Sequence, residues 1–169
     1  MTDIYLSLGS NLGSREEHLQ RALDALASKG IRILARSSIY ETEPRDVPDQ
    51  PWFLNLVVAC ETDYAPLQLL DILQSIESEA GRVRGTEVVP KGPRTLDIDL
   101  LLFGDVVIDT PRLTVPHPRM LERRFVLEPL AEIAPDLRHP ITKKPLSEYL
   151  GGVAEQRVTL IPQSNWRLP

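Results

Sequence analysis

Asp97 and Asp99 stand two residues apart in "TLDIDLLLF", one of the most apolar runs of the chain. If that run is extended, both carboxylates share a face, because side chains alternate across a strand. Leu96, Ile98, Leu100 and Leu102 would take one face, and Asp97, Asp99, Leu101 and Phe103 the other. The second face begins acidic and ends apolar, which points to a covered strand with its acids at the mouth of a cleft. Like charges this close repel, and a cation between them relieves the cost. Carboxylate oxygens on a rigid strand suit Mg2+, which also takes water and substrate phosphate oxygens. Asp-x-Asp alone is a common pattern, and a pair of solvated carboxylates at a strand end is the plain alternative.

The segment that feeds this strand is basic. Arg82, Arg84, Lys91 and Arg94 all lie in "RVRGTEVVPKGPRT". Arginine forks match phosphate oxygens with directed hydrogen bonds. Acids that hold a metal, beside arginines that neutralise the remaining oxygens, are the parts of a polyphosphate-transfer site. The glycines and prolines of that segment suit a loop that closes over a ligand and excludes water. Farther on, "LTVPHPRMLERRF" sets His117 between Pro116 and Pro118. A neutral imidazole there could hydrogen-bond a phosphate, or an imidazolium could pair with it; in isolation it would read as a structural histidine at a turn. Arg112, Arg119 and Arg123 are candidates for the same anion site, and Arg124 suits solvent equally well. His18 and His139 have no such company and read as structural or exposed. "LGSNLGS" is neither a P-loop nor Gly-x-Gly-x-x-Gly. A polymerase-β-type nucleotidyltransferase would want its Gly-Ser close before the acids, and Gly9-Ser10 lies most of the chain away from Asp97.

Alternating and helical periodicities indicate the frame that must hold these residues. "DIYLSLGS" alternates and ends in a turn at Gly9. Ser14 to Glu17 has the capping-box pattern, followed by Leu19, Ala22, Leu23 and Leu26 at helical spacing and a stop at Gly30. "IRILARSSIYET" and "FLNLVVACET" are strands, joined by the proline-rich "TEPRDVPDQP", a loop long enough to suggest function. Pro66 opens a second helix with Leu69, Leu73, Ile76 and Ala80 on its apolar face and Gly81 at its end. "LDIDLLLFG" is a fourth strand, and "DVVID" after Gly104-Asp105 is expected to pair back on it. Short helical pieces follow around Arg119 to Ala134, and residues from about 160 to 169 read as a loose tail. The order strand, helix, strand, strand, helix, strand predicts an α+β fold, a ferredoxin-like α/β sandwich with a mostly antiparallel sheet covered by helices.

Composition bounds the partners. The 169 residues are expected to form a single domain over 1–169, with 42% hydrophobic and 25% charged residues. Neither a membrane span nor a signal peptide is expected, and the single cysteine, Cys60, excludes an internal disulfide and suits a reducing cytoplasm. Residues 82–124 carry eight Lys/Arg against six Asp/Glu, a local +2 that leaves −7 for the rest of a chain whose total is −5. Such a balance disfavours nucleic acid and favours a small anionic ligand. The fifteen prolines suggest shaped loops.

"GPRTLDIDLLLFG", preceded by "GRVR" and followed by "LTVPHPRM", resembles the 6-hydroxymethyl-7,8-dihydropterin pyrophosphokinases of folate biosynthesis. "LSLGSNLG", "TEP" at Thr42 to Pro44 and "FLN" at Phe53 to Asn55 fit the same family, in order from about residue 4 to residue 136. Each short motif is weak alone; together they are specific. The resemblance implies transfer of the terminal pyrophosphoryl group of ATP to the pterin hydroxymethyl oxygen, with release of AMP. It implies that Asp97 and Asp99 hold two Mg2+ ions, with Arg84 and Arg94 stabilising the transferred phosphates and Arg82 a lesser contributor. Gln74, Glu77, Arg112, His117 and Arg123 match residues of the ATP site. Phe53 and Phe125 match two aromatic walls for the pterin and Asn55 a reader of its edge; backbone groups of Thr42 to Arg45, Pro44 among them, could complete the ring's hydrogen bonds, and Asp97 also faces it. No dedicated general base is evident, and metal coordination with in-line positioning would suffice. Some members carry a tryptophan before Gly-Pro-Arg, where this chain has Val88, Val89 and Pro90. The expected state is a cytoplasmic monomer acting on small molecules, away from nucleic acid and membranes. A nucleotidyltransferase and a noncatalytic nucleotide-binding module are the alternatives: the first would release pyrophosphate instead of AMP, and the second would not need both aspartates.

Overall fold

The computed structural model describes residues 1–44, 49–81 and 95–162. Its central sheet is antiparallel in every pairing. It is built from β1 (Thr2–Ser10), β2 (Arg32–Arg36), β3 (Tyr40–Thr42), β4 (Phe53–Thr62), β5 (Asp97–Phe103) and β8 (Val158–Leu160). The order is β5-β1-β4-β3-β8, with β2 also paired to β4. Helices α1 (Arg15–Ser28) and α2 (Pro66–Ala80) connect the strands, and α3 (Arg124–Ile133) follows them. A short ribbon, β6 (Ile108–Asp109) with β7 (Thr114–Val115), stands apart from the main sheet. This is the expected ferredoxin-like α+β arrangement.

Alternation sorts the strands into two cores. On β1, Ile4, Leu6 and Leu8 join Leu54, Leu56, Val58 and Cys60 of β4 beneath α1 and α2. Cys60 is buried, and burial pushes its thiol up to about 12, so it packs as an apolar side chain. Each buried leucine from a helix face, such as Leu19, Leu23 and Leu69, is worth about 1.5–3 kcal/mol of transfer free energy. On the other face Val57, Leu101 and Leu102 pack under α3 and the 3-10 helices Met120–Glu122 and Leu146–Val153. That second cover ends before the start of β5 and the end of β1, and the uncovered part of the face is the cleft described below.

Several expectations are corrected. The faces of β5 do not alternate to its end: Tyr5 pairs with Leu102 and Leu6 with Leu100, a bulge that leaves Leu101 as the extra residue. Leu101 and Leu102 therefore both join the second core, while Phe103 joins the first. "IRILARSSIYET" is two strands, because at Ser37 the side-chain Oγ, at 2.9 Å, accepts the Val57 N–H that a strand carbonyl would take. β1 runs on through Gly9 to Ser10. "DVVID" pairs with β7 rather than with β5. Ser14 precedes α1, but its ψ of 81° lies short of extended backbone and its hydroxyl makes no capping bond. The last described residues are paired, with β8 beside β3 and the Ile161 N–H donating to the Ile39 carbonyl at 2.9 Å, and the rest of the expected tail, 163–169, lies outside the described residues. Pro66 does open α2, and the Ala65 N–H before it donates to Gln68 Oε1 at 3.0 Å.

Candidate active site

Three neighbouring strands make the floor. Gly9 of β1 pairs with Asn55 of β4 on one side and Asp97 of β5 on the other; Ser7 pairs with Val57 and Asp99. Residues directly opposite share a face. Asn55, Gly9, Asp97, Ser7 and Asp99 thus lie together on the face that α3 leaves uncovered. The middle strand carries no bulk there. A Cβ on Gly9 would stand 2.6 Å from Asn55 Oδ1 and 3.4 Å from Phe53 Cδ1, so glycine is required for Asn55 to lie where it does. The result is a cleft of about 250 Å³ lined by Ser7, Gly9, Thr42, Glu43, Pro44, Gln50, Phe53, Asn55, Asp97, Asp99, His117, Arg119, Arg123 and Phe125.

The polar wall is held in place. Buried Asn55 donates from Nδ2 to Thr42 Oγ1 at 2.5 Å, which fixes its amide plane and leaves Oδ1 beside Gly9. Gln50 is fixed by Asn11, whose Nδ2 donates to Gln50 Oε1 at 2.8 Å and to the Pro51 carbonyl at 2.9 Å. Phe53 and Phe125 line the cleft from β4 and the first turn of α3. The third phenylalanine, Phe103, is core.

The charged wall has both signs. Arg123 Nη1 lies 3.8 Å from Asp99 Oδ2, and its guanidinium sits over the Phe125 ring at 5.4 Å from the centroid. Burial, and then the neighbouring Arg123 and Arg119, pull the His117 imidazole down to about 4. At neutral pH the ring is therefore uncharged. Its Nδ1 accepts the Arg119 N–H at 3.1 Å, so the proton sits on Nε2, which is a hydrogen-bond donor. In the ligand-free site the neutral donor is the form of His117 that this environment favours. The His117 N–H donates to the Leu101 carbonyl at 2.9 Å, tethering the histidine to β5 beyond the acids.

A hard cation fits the donor set of Asp97 and Asp99. Both carboxylates are partly exposed on a rigid strand, beside Ser7 and Gly9, which take up little room. Two carboxylates leave coordination positions open on such an ion, which commonly takes water and substrate phosphate oxygens as well.

Thr42, Pro44, Phe53, Asn55, Asp97, Asp99, His117, Arg123 and Phe125 come together as expected. Arg45, Arg82, Arg84 and Arg94, with Lys91 and Val88 to Pro90, lie outside the described residues. Gln74, Glu77 and Arg112 do not line this cleft. Glu77 accepts the Ile98 N–H on Oε2 at 2.9 Å, bracing β5 between its acids. Gln74 is exposed on α2, and Arg112 pairs with Asp71 of the same helix. Glu43 lines the cleft within the expected Thr42 to Arg45 stretch, and Ser7, Gly9 and Gln50 line it without a role expected for them. The signal for Ser7 and Gly9 was present: small or polar residues at odd positions of β1 oppose Ile4, Leu6 and Leu8 at even ones.

Residues 5–135 match the family described as 7,8-dihydro-6-hydroxymethylpterin-pyrophosphokinase. The chain is 52% identical over 138 residues to the 2-amino-4-hydroxy-6-hydroxymethyldihydropteridine pyrophosphokinase of Pseudomonas aeruginosa, covering 81% of this chain and 83% of that protein. It is 46% identical over 157 residues to the Folic acid synthesis protein fol1 of Schizosaccharomyces pombe, covering 92% of this chain but spanning only 21% of that protein. The crystal structure of Plasmodium falciparum HPPK-DHPS with pteroate superposes with a TM-score of 0.71 at 16% identity, over 89% of this chain and 42% of that one. At that identity the likeness supports the fold alone. Among the described residues no helix is long and apolar enough to cross a membrane.

Proposed function

Because the chain belongs to the 7,8-dihydro-6-hydroxymethylpterin-pyrophosphokinase family, we propose that it transfers the terminal pyrophosphoryl group of ATP to the hydroxymethyl oxygen of 6-hydroxymethyl-7,8-dihydropterin, giving AMP and the pterin diphosphate for folate synthesis. The observation that carries this reading is the single floor on which Asn55 and Phe53 adjoin Asp97 and Asp99 across Gly9 and Ser7. A flat heterocycle and a metal-bound polyphosphate would meet there at contact distance.

The cleft-lining groups have the positions these tasks need. Phe53 and Phe125 offer flat apolar surface to the ring. Asn55 Oδ1, held by the bond to Thr42, accepts from the ring's donor edge. Asp97 and Asp99 would hold two Mg2+ ions, which when bound neutralise phosphate oxygens and draw electron density from the phosphorus under attack. His117 Nε2–H and the Arg123 guanidinium donate to phosphate oxygens. Arg119 adds positive charge at the same rim. Arg82, Arg84 and Arg94, with Gln74, Glu77 and Arg112, are proposed contacts to ATP on the strength of the family motif, and Arg45 a contact to the pterin. Holding the hydroxymethyl oxygen in line with the phosphorus makes the step effectively intramolecular.

Incubation with ATP, Mg2+ and 6-hydroxymethyl-7,8-dihydropterin tests this reading. Formation of AMP that depends on the pterin is expected. Formation of ADP, or hydrolysis that ignores the pterin, would refute it.

A further inference from the structure

Arg15 opens α1, where a positive side chain opposes the helix dipole while Glu16 and Glu17 follow it favourably. Its guanidinium is not left to solvent. Nη1 donates to Glu41 Oε2 at 3.0 Å and to the Trp52 carbonyl at 2.8 Å. Glu41 lies in β3 and pairs with Leu54, on the helix side of the sheet; Thr42 and Phe53, the next pair, face the cleft. Trp52 is the residue that leads into Phe53. One guanidinium therefore grips, from behind the sheet, both strands of the β3–β4 pair just where they present Thr42, Phe53 and Asn55.

We infer that Arg15 is a positioning residue for the pterin-binding wall, an inference that rests on the function proposed above. It cannot touch a ligand in the cleft, because the sheet lies between. Its effect passes through two acceptors one residue away from cleft-lining side chains. Glu41 fixes Thr42, and Thr42 fixes the Asn55 amide through their 2.5 Å bond; Trp52 fixes the approach of Phe53. The acids of β5 lie on the far side of β1, so the nucleotide side of the site should be insensitive to it. A lysine keeps the charge and has donors enough, but its stem is one bond shorter, so its ammonium falls short of the Nη1 position that meets both acceptors.

Arg15→Ala should weaken pterin binding about tenfold, as loss of charged hydrogen bonds at one remove would. ATP affinity should stay within about twofold, and Arg15→Lys should fall between alanine and wild type. Direct binding of each ligand by calorimetry reads this split, which a general loss of stability would not produce. Amide hydrogen exchange of the ligand-free protein is the second measurement: peptides confined to residues 40–44 and to 52–56 should exchange faster in Arg15→Ala, with α2 and β5 unchanged. Unchanged pterin affinity, equal losses for both ligands, or unchanged exchange in those peptides would each overturn the inference. A wild-type chain that binds no pterin would sink the functional reading instead, and the exchange comparison would still decide whether Arg15 grips the strand pair.

Discussion

Asp97 and Asp99 are partly exposed carboxylates on a strand whose other side chains are buried. Removing their charge should leave the fold intact and abolish the chemistry. Asp97→Asn and Asp99→Asn are each expected to lower kcat by at least ~10²-fold, the scale of losing one group aimed at developing charge. Circular dichroism and melting temperature should be near wild type. Near-normal turnover in either variant would remove that residue from the metal assignment. His117 yields a prediction about pH. Its folded-state pKa lies near 4 against an ordinary 6.5, so the unfolded chain binds its proton more tightly. The histidine's contribution to stability is therefore fully present above 6.5 and is lost as pH falls through about 4. Nitrogen-15 NMR of the ligand-free protein should show the ring neutral, protonated at Nε2, down to about pH 5. A midpoint near 6.5 would contradict the electrostatics described for the site.

The site depends on how neighbouring strands are registered. Gly9→Ala would bring a Cβ within 2.6 Å of Asn55 Oδ1, where no side chain can remain. It should destabilise the protein by about 1–3 kcal/mol, as overpacking does. It should also weaken pterin binding as Asn55→Ala does, with ATP binding affected far less. Retention of full pterin affinity would mean that Asn55 does not read the ring. Elements also mark where sequence reasoning succeeds and stops. The strand and helix order was legible because period-two and helical patterns are local, and so was the amphipathic change along β5. The bulge was not, since "DIDLLLF" contains no glycine or proline to signal it and only the register against Tyr5 and Leu6 reveals the extra residue. Ser37 likewise splits a continuous-looking strand through a bond to Val57, twenty residues away. The aspartates, His117, Asn55 and the two phenylalanines were accessible from motif order. Gly9 looked like a turn, and its true role depends on what lies across from it.

On the scale of the molecule, two cores hold the sheet between unequal covers. α1 and α2 cover one face, whereas α3 and the 3-10 helices cover only part of the other. The partial cover creates the cleft, and its edge supplies His117, Arg119, Arg123 and Phe125. Polar reading of a ring on β3 and β4 is thereby separated from acid on β5 by a single strand. That layout suits the proposed transfer of a phosphate-containing group from a nucleotide at the acids to a ring bound beside them. Which group moves is read by supplying ATP labelled at the γ phosphorus or at the α phosphorus, with Mg2+ and 6-hydroxymethyl-7,8-dihydropterin. The γ label should appear on the pterin and the α label should stay in AMP, in equal amounts. Transfer of the α label to the pterin with release of pyrophosphate, or recovery of ADP, would contradict pyrophosphoryl transfer.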